Sequence, residues 1–180
     1  EDHYTLLTDY EGNSLRTFYI DKKGYIWFGT IDGIYIFDPT DGKLSHYKHS
    51  RTDPFSLPNN SIWEISEDRQ SNVWIGTYSG TLCYVNIDEN NAFKTYNPQN
   101  SGLNHTPVSA FAEDQQYLWV GTEGGGINRM NKATGEFSYI TSANSITSNN
   151  IKSLITDNAS AQDKWSVCVL PLDGRDPVVV

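Results

Sequence analysis

Trp27-Phe28-Gly29-Thr30 returns as Trp74-Ile75-Gly76-Thr77 and again as Trp119-Val120-Gly121-Thr122. The spacing is about 46 residues each time, and Trp165 follows after a similar interval, so the chain is read first as a repeat array and only then element by element. Each tryptophan sits inside a longer phrase. The first copy runs from Leu15 to Asp21 in alternating apolar and polar residues, turns at Lys22-Lys23-Gly24, passes through Tyr25 to Thr30, and resumes after Gly33 as Ile34-Tyr35-Ile36-Phe37-Asp38. The second runs from Ser61 to Asp68, through Trp74, to Val85; the third from Val108 to Asp114, through Trp119, to Met130. Between copies lies a short segment with a terminal aromatic: Leu44-Ser45-His46-Tyr47, Phe93-Lys94-Thr95-Tyr96 and Phe137-Ser138-Tyr139, with Tyr4-Thr5-Leu6-Leu7 heading the chain.

Alternation with period two marks strands. Asp38-Pro39-Thr40-Asp41-Gly42 and Asn131-Lys132-Ala133-Thr134-Gly135 are turn-forming links between third and fourth strands. Four strands per repeat is the make-up of a propeller blade. The expectation is an all-β fold of about four four-stranded antiparallel β-propeller blades across residues 1–180. Blade repeats fall near 4–43, 44–92, 93–136 and 137–180, the last divergent after about 165. The repeated indole is expected to fill the wedge between blades, and the glycine two residues on to admit a close backbone.

Composition agrees. The 180 residues are 13% aromatic, with 14 Gly and 1 Met, a mixture that favours strands and tight turns. A formal charge of -9 repels a phosphate backbone, so no nucleic-acid partner is expected. No apolar run approaches the roughly 18 to 20 residues that span a bilayer, and Glu1-Asp2-His3 opens no secretion signal, so any anchor is expected outside this chain. Cys83 and Cys168 stand in no metal-ligand spacing; buried free thiols are expected, with a disulfide left open.

The acidic turn followed by Trp-x-Gly-Thr and a glycine-led strand resembles the two-component regulator propeller repeat, over roughly residues 4 to 157. The inter-blade stretch from Tyr47 to Ser61 resembles its linker. The resemblance implies a segment of a larger, seven-bladed propeller in the periplasmic sensor region of a membrane-anchored hybrid two-component histidine kinase, as in glycan-degrading gut bacteria, with an oligosaccharide as ligand and no catalysis by this segment. The fourth copy departs from the pattern: Ile151 to Asp157 fits, but Trp165-Ser166-Val167-Cys168 replaces Trp-x-Gly-Thr, and Leu170-Pro171-Leu172-Asp173 matches no blade strand.

In a propeller the loops between fourth and next first strands, and between second and third strands, share the face that usually carries binding. Here these are residues 48–60, 97–107 and 141–150, with 31–32, 78–79 and 123–125. Asn59, Asn60, Asn104 and Glu123 are candidates to hydrogen-bond hydroxyl pairs, and Tyr78 or His105 to stack on a sugar face. Arg51 offers a planar donor fork for hydroxyls or a uronate, and could equally pair with Asp53. Asparagine in such loops also caps turns.

No zinc-protease, nucleophile-elbow or phosphate-loop motif occurs, and Gly121-Thr122-Glu123-Gly124-Gly125-Gly126 follows no βαβ pattern. The histidines His3, His46, His49 and His105 lack zinc spacing, so no metal or cofactor is assigned. Two other classes stay open: a protein-interaction scaffold, and a polysaccharide lyase or hydrolase built on a propeller. Four blades of a larger ring would leave exposed blade edges and faces, so a homo-oligomer is expected.

Overall fold

The computed structural model describes residues 14–78, 81–86, 92–156, 167–171, 174 and 178–179. Three four-stranded antiparallel sheets follow one another. The first holds β1 (Leu15–Ile20), β2 (Ile26–Thr30), β3 (Gly33–Asp38) and β4 (Lys43–Tyr47). The second holds β5 (Ile62–Glu67), β6 (Val73–Thr77), β7 (Leu82–Val85) and β8 (Lys94–Tyr96); the third β9 (Val108–Glu113), β10 (Tyr117–Thr122), β11 (Ile127–Asn131) and β12 (Phe137–Ile140). Every neighbour in a sheet is also the neighbour in sequence, the meander of a propeller blade. A fourth sheet has three strands among the described residues: β13 (Ile151–Thr156), β14 (Val167–Pro171) and β15 (Val178–Val179).

The three Trp-x-Gly-Thr strands occupy equivalent places. Trp27, Trp74 and Trp119 are all buried, each in the cluster between its own blade and the next: Trp27 with Leu57, Ile62 and Ile65, Trp74 with Leu103, Val108 and Phe111, Trp119 with Ile146, Ile151 and Leu154. An indole buries roughly 200 Å², worth about 5 kcal/mol before ordering entropy is subtracted. The glycine sets the blade spacing. A Cβ on Gly29 would lie 2.7 Å from Ile62 Cγ2, on Gly76 2.9 Å from the Val108 carbonyl oxygen, and on Gly121 2.7 Å from Ile151 Cγ2. Each time the first residue of the next blade's inner strand is in the way, joined at Gly29 by Thr17 of the same blade at 2.6 Å, so the glycine lets that strand reach the indole.

The acidic turn has an equally regular role. Trp27 Nε1 donates to Asp21 Oδ2 at 2.9 Å, Trp74 Nε1 to Asp68 Oδ2 at 2.7 Å, and Trp119 Nε1 to Asp114 Oδ2 at 2.8 Å. The other oxygen takes two turn amides in each copy, for instance Gln70 N and Asn72 N at 2.9 Å on Asp68. A buried carboxylate thereby closes the first hairpin and satisfies the indole at once. Neighbouring blades are stapled beside it: Lys22 Nζ reaches the Asp68 carbonyl at 2.5 Å and Lys22 N donates to Glu67 at 2.8 Å, while Arg69 N donates to Glu113 at 2.8 Å.

The fourth blade corrects the sequence reading. Trp165 lies outside the described residues, and Leu170-Pro171, expected to match no blade strand, belong to β14. Its register pairs Ile155 with Cys168 and Ser153 with Leu170, as Tyr19 pairs with Trp27 and Thr17 with Gly29 in the first blade. Cys168 therefore takes the tryptophan position and Leu170 the glycine position, a pairing the Trp165 spacing concealed. Cys83 is a free thiol, and complete burial pushes its ionisation up.

At the other end of the array, Leu15 and Phe18 of β1 are 50% and 64% exposed. Their counterparts Ile62 and Ile65, Val108 and Phe111, and Ile151 and Leu154 are buried against the preceding blade.

Candidate functional site

Antiparallel meanders place all linkers between blades at one end of the sheets, together with the β2–β3, β6–β7 and β10–β11 turns. Backbone hydrogen bonds knit this face: Gly33 N donates to the Asn60 carbonyl at 2.7 Å, Tyr78 N to Ser61 at 2.9 Å, Glu123 N to Pro107 at 3.0 Å and Gly124 N to Asn149 at 3.0 Å. All seven residues singled out from sequence belong to the linkers or turns of this end.

Several are spent on the scaffold. Asn59 Oδ1 accepts Ser61 N at 2.8 Å, closing a local turn, and Asn60 Oδ1 accepts His49 N at 2.6 Å across its loop. Asn104 Nδ2 donates to the Gly125 carbonyl at 3.2 Å while its backbone amide is held by Asn128 Oδ1 at 2.8 Å. His105 lies over Gly124, where a Cβ would stand 2.7 Å from its ring, so those glycines make room for the imidazole. Glu123 bridges by its backbone to Asn150. Arg51 sits in a shallow depression with Pro54, Thr95 and Asn100, of about 420 Å³. Asp53 caps the amide of Phe55 at 2.9 Å in the same loop.

Tyr78 is different. It is 53% exposed, and its ring stacks on Trp63 with centroids 5.5 Å apart and planes 21° from parallel. On the indole, Arg16 places its guanidinium 5.4 Å from the ring centroid. A cation, an indole and a phenol from three separate elements thus form one platform where the inner strands meet the linker face. Neither Trp63 nor Arg16 was among the residues picked from sequence. The available signal was that Trp63 is the tryptophan outside the repeat register, at the position that carries Arg16, Ser109 and Lys152 in the other blades.

Next to it in β5, Glu64 is pushed up to about 6 because burial disfavours its charged form. Among the described residues no group of three or more His, Cys, Asp or Glu side chains could hold a metal ion. Chemically the platform offers an aromatic face and a guanidinium fork.

Comparison with known proteins places this geometry in context. The family described as two component regulator propeller matches residues 9–32, 56–79 and 102–124, one match over each Trp-x-Gly-Thr strand. The extracellular domain of the hybrid two-component system BT3049 from B. thetaiotaomicron superposes with a TM-score of 0.77 at 19% identity, over 94% of this chain and 22% of that one. That of BT4673 from the same organism gives a TM-score of 0.68 at 25% identity, over 97% and 23%. A catalytically inactive virginiamycin B lyase from Staphylococcus aureus shares the fold at a TM-score of 0.59 and 16% identity, over 96% of this chain and 57% of that one. This chain therefore spans less than a quarter of the two extracellular domains it matches. No curated protein matches its sequence.

Proposed function

Because this chain carries two-component regulator propeller repeats, we propose that it is part of the extracytoplasmic ligand-sensing region of a hybrid two-component system, in the periplasm, with an oligosaccharide as its ligand. The observation that carries the reading is the stack of exposed Tyr78 on half-buried Trp63, with the Arg16 guanidinium over the same indole. A tyrosine ring already held by stacking on a strand residue costs little ordering entropy on binding, and its open face suits the C–H side of a pyranose ring. Binding there would bias how blades and neighbouring domains sit, and that bias would reach a kinase in the longer protein. The lyase with the same fold keeps an enzymatic reading in view, but the platform offers no paired carboxylates across a cleft.

Calorimetry of the chain against plant and host oligosaccharides tests the proposal. One or more should bind, and Trp63→Ala should weaken that binding at least tenfold while the chain stays folded, its unfolding midpoint lowered only by the lost stack on Tyr78. Binding unaffected by Trp63→Ala would move the site elsewhere, and polysaccharide turnover by the purified chain would replace sensing with catalysis.

The open face of β1 supports a second element of the proposal. With Leu15 and Phe18 exposed where every later blade buries the equivalent pair, two copies of the isolated chain should meet through this face. Light scattering at high concentration should give a dimer that Phe18→Glu dissociates; a monomer throughout would contradict it.

A further inference from the structure

We propose that a second, separate site for a single neutral saccharide ring lies between the second and third blades, on the face opposite the linkers, in a cleft that exists because the second repeat lacks a tyrosine its neighbours carry. Two residues before the repeat tryptophan, the first and third blades have Tyr25 and Tyr117, and the second has Asn72. Tyr25 packs against the cluster around Trp27. Tyr117 meets Trp119 edge to face with centroids 6.2 Å apart, and Arg129 closes over both rings at 4.5 and 5.5 Å. In the second blade that ring is missing, and a cavity of about 640 Å³ opens over the same spot, lined by Asn72, Trp74, Tyr84 and Tyr96. Its size falls in the range of small-molecule sites.

The lining specifies the occupant. Tyr84 and Tyr96 lean together with centroids 6.1 Å apart and planes 27° from parallel, and Trp74 adjoins Tyr84 at 4.8 Å, so one wall is aromatic. The rim supplies the exposed amides of Gln70, Gln115 and Gln116. The charges nearby are already engaged, Lys94 among them, its Nζ 5.2 Å from the centroid of the Tyr84 ring. Asp68 accepts Trp74 Nε1, Asn72 Nδ2 and two backbone amides, and Lys132 Nζ is held by Glu113 at 2.9 Å and by the Asp114 carbonyl at 2.7 Å. Aromatic faces beside carboxamides, without an uncommitted charge, fit a neutral polyhydroxylated ring better than an ionic ligand. The site does not depend on the Trp63 platform, which lies at the other end of the blades.

The decisive variant restores the repeat's own residue. Asn72→Tyr fills the cleft with the side chain that blades one and three hold there, and the Asp68 bond it removes is one that Asp21 and Asp114 do without. Saturation-transfer NMR with methyl β-glucoside, methyl β-galactoside, N-acetylglucosamine and phenol should detect at least one of the sugars with a Kd on the order of millimolar. Asn72→Tyr should lower that affinity at least tenfold, whereas Trp63→Ala should leave it within twofold. The double variant Gln70→Ala/Gln116→Ala, confined to exposed positions, should weaken binding at least fivefold and serves if Asn72→Tyr unfolds. Absence of binding by all three sugars, binding of phenol alone, or sugar binding that survives filling of the cleft would each overturn the proposal. Loss with Trp63→Ala but not with Asn72→Tyr would leave only the linker-face site.

Discussion

Trp74 and Asp68 are joined by a 2.7 Å hydrogen bond from indole Nε1 to a carboxylate that is itself 3% exposed, and two further copies of the bond recur at Trp27–Asp21 and Trp119–Asp114. The pair joins the turn of the first hairpin to the wedge between blades. Removing the acceptor therefore strands a buried donor and loosens the turn together.

Asp68→Ala should destabilise the chain by about 3 kcal/mol, because a buried unsatisfied donor costs about 1–3 kcal/mol and two turn amides lose their acceptor as well. Asp68→Asn, which keeps one acceptor oxygen, should cost about half as much. Urea unfolding midpoints for the two variants check the order. Equal effects would mean that the one acceptor oxygen left by asparagine restores neither the turn nor the indole bond.

Gly121→Ala should cost about 1–3 kcal/mol, since its Cβ would stand 2.7 Å from Ile151 Cγ2 and the third and fourth blades would have to part. Combined with Ile151→Ala the loss should be smaller than the sum of the two single losses, because the second change removes the nearest obstructing atom. A double-mutant cycle by chemical denaturation measures the coupling, and strict additivity would count against contact across this interface.

Glu64 makes stability fall as pH rises through a defined window. Its folded pKa is pushed up to about 6 from an ordinary 4.5, so between those values the native state holds the proton that the unfolded chain releases. The wild type should lose about 1–2 kcal/mol between pH 4.5 and 6 relative to Glu64→Gln, with the difference level on either side. Parallel denaturation curves across that range check the sign.

The blade architecture was legible because the residues that build it recur. Trp-x-Gly-Thr carries both the wedge and the close approach, and the acidic turn sits six, six and five residues before its tryptophan in the three copies. Legibility ended where repetition ended. In the fourth copy the Trp165 spacing pointed to one register and strand pairing chose another, with Cys168 opposite Ile155. The candidate site was read by residue type, and type alone does not separate Asn59, which caps Ser61, from an amide open to a ligand. Arg16 and Trp63 are close only because successive inner strands lie side by side, a relation between blades that no local pattern carries. Asn72 was overlooked for the opposite reason: its information lies in what the other two copies have at that place.

The most direct test is an amide and indole NMR spectrum of the chain with 15N-labelled tryptophan, assigned by Trp→Phe variants, recorded in D2O and then with a bound oligosaccharide. The indole protons of Trp27, Trp74 and Trp119 should exchange slowly and stay in place on ligand addition, whereas that of Trp63 should exchange fast and shift. A repeat indole that exchanges as readily as Trp63, or a Trp63 signal indifferent to every oligosaccharide that binds, would contradict a stack of equivalent blades sensing through their linker face.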